Sequence, residues 1–526
     1  MFLNSNMAPK RPPLIDFSLS VKGETARRCS IFIEQMIEWE ISNELRKRKR
    51  KPVDQKALEV SANMLCGNLV QFWNRDPKGT FGVLRGSEWY AENRHQLRPE
   101  ITPKGVTGFL DFLVRKNLVE LVSEGKKHPD AKQGIPTQIR AKKGFISFLN
   151  QGDISPFDFQ YHRIPIVLKS EDKTVIPYEQ TDLTEAMASL VNIINRVLLN
   201  HWADIELPHS KLMALRDKGV YLEKTLYSRR TVYRVFNNGT FDDGGRFYGP
   251  WWHSIPGELR SLITINGEDT VELDYSSMHP RMLYAYLRIE CPDDPYDVGL
   301  DPKHRDIVKK AFNALINAQG RISKFSNPEK GPVFDADEMG MTWSEFLNHI
   351  KSYHPKLKDH FSSGIGLKFQ RIDSDIAETT MLHFAKENVP ILSIHDSFIM
   401  RNGYEETLSK VMADAFKART GSDIPIKVTR KPIKARHDRI AYQAGQGAYK
   451  NYNPTDSLHE LNTDYDTRFS DDPEYGPYKK RLSEFFEYRS KSQSQVRRDL
   501  NAEQDPQKFA KLELDRLRDE DTPETC

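Results

Sequence analysis

Two short segments of the sequence each place one aspartate at the boundary of an apolar, strand-like run. The run Thr270-Val-Glu-Leu-Asp274 is followed by a turn, and the chain looks helical from Arg281 onward. The run Val389-Pro-Ile-Leu-Ser-Ile-His-Asp396 resumes as Phe-Ile-Met, which predicts a β-hairpin with Asp396 at its tight tip. One such aspartate is usually a turn residue or a cap. Two of them, on strands that can lie side by side, predict a shared site.

Paired carboxylates of this kind have a specific chemistry. They can bridge two Mg²⁺ ions about 3.5–4 Å apart, which activates an attacking hydroxyl and stabilises a leaving phosphate oxygen. Asp274 and Asp396 are therefore the candidate ligands of two Mg²⁺ ions, with Mn²⁺ as the alternative metal.

A helical pattern lies between the two aspartate segments. Arg305, Lys309 and Asn313 recur every fourth residue and so share one face of a helix. The apolar Phe312, Leu315 and Ile316 can pack on the opposite side of the same helix. A row of two cations and an amide suits a triphosphate, because arginine offers forked donors and lysine a point charge. Alone, the same row would be read as an ordinary charged surface helix.

The first 150 residues carry a different pattern. Thr102 and Pro103 predict a helix start, apolar residues follow at helical spacing, and strand-like runs follow at Leu118–Val122 and Thr137–Ala141. This order predicts a winged helix-turn-helix, in which the hairpin cations could contact phosphates. Those cations are Lys126, Lys127, Lys132, Arg140, Lys142 and Lys143. The alternative is a small packing domain with a solvated basic hairpin.

Six consecutive cations, Arg46 to Lys51, stand at the predicted end of an amphipathic helix. Such a run is usually a solvated helix end. It can also be a phosphate-binding patch, or an import signal in a eukaryotic host.

Composition excludes several classes of protein. The 526 residues are 38% hydrophobic, which is enough for large cores, and no apolar stretch is long enough to span a bilayer. The four cysteines lie far apart without a Cys-x-x-Cys pair, so we do not expect a disulfide scaffold. This cysteine usage predicts a cytoplasmic protein. The 77 Lys and Arg against 74 Asp and Glu give a net charge of only +3, so local clustering must decide about nucleic acid.

At the aspartate segments the sequence resembles the single-subunit, right-hand polymerases of family A, which include DNA polymerase I and the phage-type RNA polymerases. Asp274-Tyr275-Ser276 resembles their first palm motif, and His395-Asp396-Ser397-Phe398 resembles their last. Arg305-x-x-x-Lys309 resembles the fingers helix. Asp242-x-x-Gly245-Arg246 is similar to a template-side element of the phage-type enzymes, and Gln370-x-x-x-x-Asp375-Ile376 to a palm helix of DNA polymerase I. The matches follow the family's order over residues 240–405.

The resemblance implies a DNA-directed DNA polymerase whose partners are a DNA template, a primer and nucleoside triphosphates. Asp274, Asp396 and the main-chain carbonyl of Tyr275 would bind the two metal ions. Arg305 and Lys309 would hold the triphosphate, and Lys309 would donate to the leaving pyrophosphate.

The remaining implied site residues contact the nucleotide or the nucleic acid. Arg246 and Gln370 would line the primer–template, and His395 would support the primer end. His279 stands where DNA polymerase I has Glu and RNA polymerases have Gly, so its bulk favours deoxynucleotides. Asn317, two turns beyond Lys309 and beside Asn313 on the nucleotide face, departs from the family's Tyr or Phe.

The expected fold class is α+β, a right-hand palm, fingers and thumb with a mostly helical, winged-helix-like N-terminal domain. The expected segments are a flexible tail over 1–13, the N-terminal domain over 14–150, a helical, thumb-like connector over 151–240, palm and fingers over 241–435, and a polar, partly disordered region with one or two exposed helices over 436–526.

Two alternatives remain open. The Asp-x-x-Gly-Arg and His-Asp-Ser-Phe elements also suit a phage-type RNA polymerase or a primase. The winged-helix-like N-terminus and Asn317 suit a DNA-binding initiator-like protein that no longer catalyses.

Overall fold

The computed structural model describes residues 13–126, 135–149, 155–207, 212–213, 215, 225–322, 333–430 and 476–500. The chain is a mixed α/β protein with two compact units. The first unit draws on Met1–Ile164, Leu207–Arg229 and Asp471–Gln495, and the second on Pro165–Glu206, Arg230–Ser470 and Val496–Cys526. The expected tail, Lys127 and Lys132 of the hairpin, and most of region 436–526 lie outside the described residues.

The helices are numbered here in chain order. They are α1 (Gly23–Ser42), α2 (Pro52–Arg75), α3 (Ser87–Glu92), α4 (Pro103–Arg115), α5 (Lys143–Leu149), α6 (Asp182–Asn200), α7 (Met278–Tyr286), α8 (Arg305–Asn317), α9 (Ala336–Met339), α10 (Trp343–Tyr353), α11 (Gly366–Ala385), α12 (Glu405–Thr420) and α13 (Gly476–Leu500). Short 3-10 helices lie at Arg94–Gln96, Pro156–Asp158, Trp251–Ser254, Gly257–Leu262, Pro302–His304 and Pro355–His360. Among the described residues, no helix is both long enough and apolar enough to cross a membrane.

The strands follow the same convention. They are β1 (Leu19–Val21), β2 (Phe81–Val83), β3 (Val119–Ser123), β4 (Thr137–Ala141), β5 (Phe159–Tyr161), β6 (Ile166–Lys169), β7 (Val175–Ile176), β8 (Ala203–Ile205), β9 (Tyr233–Phe236), β10 (Gly244–Tyr248), β11 (Ile263–Ile265), β12 (Glu268–Tyr275), β13 (Leu392–Ile394), β14 (Ser397–Arg401) and β15 (Ile426–Arg430).

Helix α4 of the first unit begins where the sequence predicts a helix start. The Thr102 hydroxyl accepts a hydrogen bond from the Gly105 amide at 3.0 Å, and Pro103 opens α4. Phe109, Leu110 and Leu113 of α4 are fully buried. Strands β2, β4 and β3 form one antiparallel sheet in that order. From α2 to β4 the elements follow along the chain as helix, strand, helix, helix, strand, strand.

The second unit contains the sheet that carries the aspartates. Five of its six strands run in the order β13-β14-β12-β11-β8, and the sixth, β15, pairs antiparallel with the Asp274 end of β12. A separate four-stranded sheet has the order β10-β9-β6-β7. Strand β12 is therefore central, because β14 and β15 flank the part of it that leads to Asp274.

Residues 151–240 are not the helical connector that the sequence analysis expects. They contain helix α6, whose apolar stripe is largely buried, but also strands β5 to β9. Ile166 and Leu168 are buried while the residues after each are half-buried, an alternation with period two that is typical of a strand. Strand β6 then pairs in parallel with β9, a partner distant in sequence that local patterns do not show.

Two smaller expectations also need correction. Helix α1 ends at Ser42, so the cations Arg46 to Lys51 lie in the loop before α2 rather than on a helix. Asn43 caps the helix, and Glu44 then takes a left-handed φ of 55°, which turns the chain away from the helix axis. Helix α7 begins at Met278, earlier than Arg281, because Pro280 is tolerated within a first helical turn.

The C-terminal helix α13 is not exposed all round. Its Tyr478, Leu482 and Phe485, spaced for one helical face, are buried in the first unit. Glu484 accepts a hydrogen bond from the Ser155 hydroxyl at 2.8 Å. The Tyr488 ring stacks on Phe157 with 5.3 Å between centroids.

A fully buried arginine joins α11 to the four-stranded sheet. Arg234 of β9 donates to the Gly245 carbonyl at 2.8 Å, to the Ser374 hydroxyl at 2.8 Å, to Asp375 at 3.0 Å and to Glu378 at 2.8 Å. The guanidinium thus donates hydrogen bonds to one main-chain and three side-chain partners. It fixes the helix α11 against the strand that carries Arg246.

Candidate active site

The sheet brings the two predicted aspartates together. In the antiparallel pair β12 and β14, Asp274 lies opposite Ser397, the residue that follows Asp396. The Tyr275 amide also donates to the Asp396 carbonyl at 3.4 Å. Strands β13 and β14 form the predicted hairpin, and His395 in its turn has a left-handed φ of 56°. Both carboxylates therefore stand at one end of neighbouring strands.

The electrostatics of this pair fit a divalent cation. Burial and the Asp396 carboxylate raise the pKa of Asp274 to about 7, while the Lys309 ammonium acts in the opposite direction. The Asp274 Oδ1 atom is buried and has no hydrogen-bond partner. An unpartnered carboxylate oxygen beside a second carboxylate is a donor set that Mg²⁺ accepts, since this ion needs only one or two protein carboxylates and keeps several waters.

Within the described ranges, no group of three or more His, Cys, Asp or Glu side chains could hold a metal. Glu272 lies on the same strand as Asp274, but it already accepts from Ser397 at 2.8 Å and Arg260 at 3.1 Å. The site thus offers two carboxylates and main-chain oxygens. The phenol of Tyr275 cannot add to them, because it is buried and donates to the Met412 carbonyl at 2.7 Å.

Helix α8 presents the predicted cationic row. Lys309 is exposed, and its ammonium charge lowers the pKa of Asp274 against the effect of burial. Arg305 is less free: its guanidinium donates to both oxygens of Asp294, at 2.5 and 3.0 Å, and lies over the Tyr296 ring at 5.3 Å. An incoming phosphate would have to share Arg305 with Asp294.

Tyr296 is a residue that the sequence analysis missed. It is buried, and the side chains of Ser277 and Asn313 lie near its hydroxyl and lower its pKa against the effect of burial. It therefore lies between the turn after Asp274 and the face of α8 that carries Asn313. No periodic pattern surrounds it in sequence, since it lies in the loop Cys291-Pro-Asp-Asp-Pro-Tyr296.

Arg246 and His279 meet at a second missed residue, Asp373. His279 Nε2 lies 2.9 Å from Asp373 Oδ2, and Arg246 donates to the same carboxylate through Nε at 2.9 Å and through Nη2. Arg246 Nη2 is also 3.1 Å from His279 Nε2. Asp373 is buried, so these three groups hold one another in fixed positions.

Two glycines allow Arg246 to reach this network. Gly244 and Gly245 have φ values of 82° and 80°, which favour glycine. A Cβ on Gly245 would lie 2.8 Å from the Ser374 hydroxyl. The Asp-x-x-Gly-Arg element is thus a tight bulge that lets β10 pack closely on α11.

His395 stands among other rings beside Asp396. Its ring centroid is 5.5 Å from Tyr248 and 5.6 Å from His253. Burial and the Arg246 guanidinium lower the pKa of His395, and burial and His395 lower the pKa of His253 to about 4. Both imidazoles are therefore neutral near pH 7, and the His395 Nδ1 atom is buried without a partner.

Asn317 and Gln370 form a separate pair at the end of α8. Gln370 donates to the Asn317 side chain at 3.5 Å, and Asn317 donates to the Asn313 carbonyl at 2.8 Å. A Cβ on Gly366 would lie 2.2 Å from the Asn317 side-chain oxygen, so only glycine fits there. The described structure therefore gathers Asp274, Asp396, Lys309, Arg246, His279 and His395 around one end of the sheet, with Arg305 and the Asn317–Gln370 pair at opposite ends of α8.

No protein-family model and no curated protein matches the sequence. Among solved structures, the POL domain of Pol1 from M. smegmatis in complex with DNA primer-template and dNTP matches with a TM-score of 0.26 and 12% identity. The match covers 42% of this chain and 54% of that chain, about half its length. A similarity of this size does not establish a shared fold or activity.

Proposed function

We propose that the protein is a template-directed nucleotidyltransferase, specifically a DNA-directed DNA polymerase similar to family A. The observation that carries the proposal is the pair of adjacent carboxylates, Asp274 and Asp396, with one unpartnered oxygen on Asp274. In this proposal, strands β12 to β15 with helix α11 form the palm, and α8 is the fingers helix.

Asp274, Asp396 and the main-chain carbonyl of Tyr275 would hold two Mg²⁺ ions, or Mn²⁺ ions. When bound, these ions neutralise phosphate charge and acidify the primer hydroxyl. The carboxylates themselves suit this role because their mutual repulsion is relieved by a divalent cation.

Lys309 would hold the triphosphate and place its proton at the leaving pyrophosphate oxygen. A point charge on a flexible stem can move from the Asp274 carboxylate to a phosphate as charge develops there. Arg305 would bind the same triphosphate while it stays anchored by Asp294, and Asn313 and Asn317 would line its path.

His279 would exclude the 2′-hydroxyl of a ribonucleotide by its bulk, because its contacts with Asp373 and Arg246 hold the imidazole in place. Arg246 would keep its remaining donor capacity for the primer–template, and Gln370 would contact the template strand. Neutral His395 would support the primer end beside Asp396.

Primer extension tests this proposal directly. With a labelled primer on a DNA template and Mg²⁺, we expect template-matched extension with deoxynucleotides in preference to ribonucleotides. Lys309→Ala should lower kcat/KM for the nucleotide by about 10²–10³-fold, because one positioned charge on the transition state is lost. Lys310→Ala, one residue further along α8, is the matched control.

The outcome also separates the alternatives. Preference for ribonucleotides, or initiation without a primer, would favour a phage-type RNA polymerase or a primase. Absence of any product with either nucleotide, on primed and unprimed templates, would favour the DNA-binding, non-catalytic protein.

A stability measurement tests the metal ligands without any reaction. Because the pKa of Asp274 is higher in the folded than in the unfolded chain, the folded state binds more protons between about pH 4 and 7, and stability falls as pH rises across that window. At about pH 8 and without metal, Asp274→Asn should therefore raise the free energy of unfolding by about 1–2 kcal/mol, since Lys309 and solvent offset part of the repulsion.

The same urea unfolding experiment includes its controls. The difference between Asp274→Asn and the unchanged protein should shrink at about pH 4, and Mg²⁺ should stabilise only the unchanged protein. Equal stabilisation of both proteins by Mg²⁺ would mean that Asp274 is not a ligand.

A further inference from the structure

The basic loop of the first unit is held in a fixed position. The Leu45 amide donates to the Glu40 carbonyl at 2.9 Å, which folds the loop back on the last turn of α1. Arg46 and Arg50 both bond the Glu40 carboxylate, at 3.2 and 2.6 Å. Two of the six consecutive cations thus anchor the loop, and the others do not take part in that anchor.

The remaining cations of the loop face solvent. Lys47, Arg48, Lys49 and Lys51 are exposed, and the described part of the chain gives them no carboxylate partner. Glu44 and Asp54 are the exposed carboxylates that flank this stretch. The loop therefore keeps a positive excess after its internal ion pairs are counted.

Helix α4 brings more cations to the same place. The Trp39 ring, next to Glu40 on α1, lies 6.0 Å from the Phe112 ring of α4. Arg115, at the end of α4, lies over Trp39 at 5.5 Å, and the Lys116 ammonium lies 5.9 Å from the Phe112 ring. Both cations are exposed. We name Lys47, Arg48, Lys49, Lys51, Arg115 and Lys116 the basic face.

We propose that the basic face binds the phosphate backbone of duplex DNA, as a site distinct from the carboxylates Asp274 and Asp396. Six exposed cations on an anchored loop and a helix end concentrate positive charge on one face, which suits the regular row of phosphates along a duplex. The surrounding order of helix, strand, helix, helix, strand, strand, with β2 paired to β4, is the arrangement expected of a winged helix.

A duplex fits this face better than a single strand does. Single-strand sites combine cations with exposed aromatic rings on which bases stack. Trp39, the aromatic residue that Arg115 of the basic face contacts, is half-buried and has the guanidinium over its ring. The face therefore offers charge without a free stacking platform.

The test uses a labelled dumbbell duplex, closed at both ends, so that it has no primer terminus and no single-stranded template. Binding is measured by fluorescence anisotropy against salt concentration, without metal or nucleotides. The variant Lys47→Ala/Arg48→Ala/Lys49→Ala should bind about 10–100-fold more weakly, and the slope of log K against log salt should fall by about 3. These side chains are exposed and outside the loop's anchor, so circular dichroism should show an unchanged fold.

The matched control is Lys351→Ala/Lys356→Ala/Lys358→Ala, which removes the same charge from the second unit and should bind within twofold of the unchanged protein. The proposal is overturned if the loop variant keeps the full salt slope, if single-stranded DNA is bound more tightly than the dumbbell, or if vesicles of anionic lipid are bound while the dumbbell is not. Because no nucleotide is incorporated in this assay, its result is independent of whether the polymerase proposal holds.

Discussion

Asp396→Ala should abolish template-dependent extension, with a loss in kcat of more than about 10³-fold. The physical reason is the adjacency of Asp396 and Asp274 at one end of β12 and β14, where a single remaining carboxylate cannot hold two divalent ions. Losing that charge neutralisation removes several kcal/mol of transition-state stabilisation, and each 1.4 kcal/mol is about tenfold in rate. Asp274→Asn, which preserves the shape of the side chain, should have the same effect.

The control for this prediction is Asp414→Asn, an exposed carboxylate of α12. It removes one negative charge from the same unit and should leave extension unchanged. Both active-site variants should still bind primed DNA, because the metal ligands are not the principal phosphate contacts. Extension at more than a tenth of the normal rate by Asp396→Ala would contradict the assignment of this residue as a metal ligand.

Arg234→Ala should lower the free energy of unfolding by about 3–5 kcal/mol, measured by urea denaturation. Truncation would leave the partly buried Glu378 without its Arg234 partner, and breaking a buried ion pair in this way is strongly destabilising. Asp375 would keep its ion pairs with Arg371 and Arg419. It would also leave the Gly245 carbonyl without its donor. Since α11 would then lose one of its attachments to the four-stranded sheet, nucleotide incorporation should fall as well.

Arg419 offers a close comparison, because it bonds the same Asp375 carboxylate at 2.6 Å from an exposed position. Arg419→Ala should cost about 1 kcal/mol or less, as exposed ion pairs usually do. If Arg234→Ala and Arg419→Ala lower the free energy of unfolding equally, the burial of Arg234 does not explain the stability that its hydrogen bonds contribute.

Local patterns in the sequence predict the central elements of this site. The strand that ends at Asp274, the hairpin at Asp396 and the helix Arg305–Asn317 are confirmed, because each depends on apolar periodicity within a dozen residues. The same holds for the start of α4 at Thr102, where the capping chemistry is local.

The supporting residues could not be predicted in this way. Asp373 bonds His279 and Arg246, which lie 94 and 127 positions away in sequence. Arg234 bonds Glu378 across 144 positions. In sequence, each of these charged residues looks like any solvated side chain of a strand or helix, and only the tertiary fold selects its partner. The parallel pairing of β6 with β9 could not be predicted for the same reason, because the two strands are distant in sequence.

The docking of α13 has a consequence for the order in which the protein is made. Ser155 and Glu484 are hydrogen-bonded across 329 positions in sequence. Helix α13 of the first unit therefore leaves the ribosome long after the strands and helices around Ser155. At about 5–20 residues per second, the delay is roughly 15–65 s. During that time Phe157 lacks the aromatic rings of α13, and its apolar surface stays uncovered by that helix.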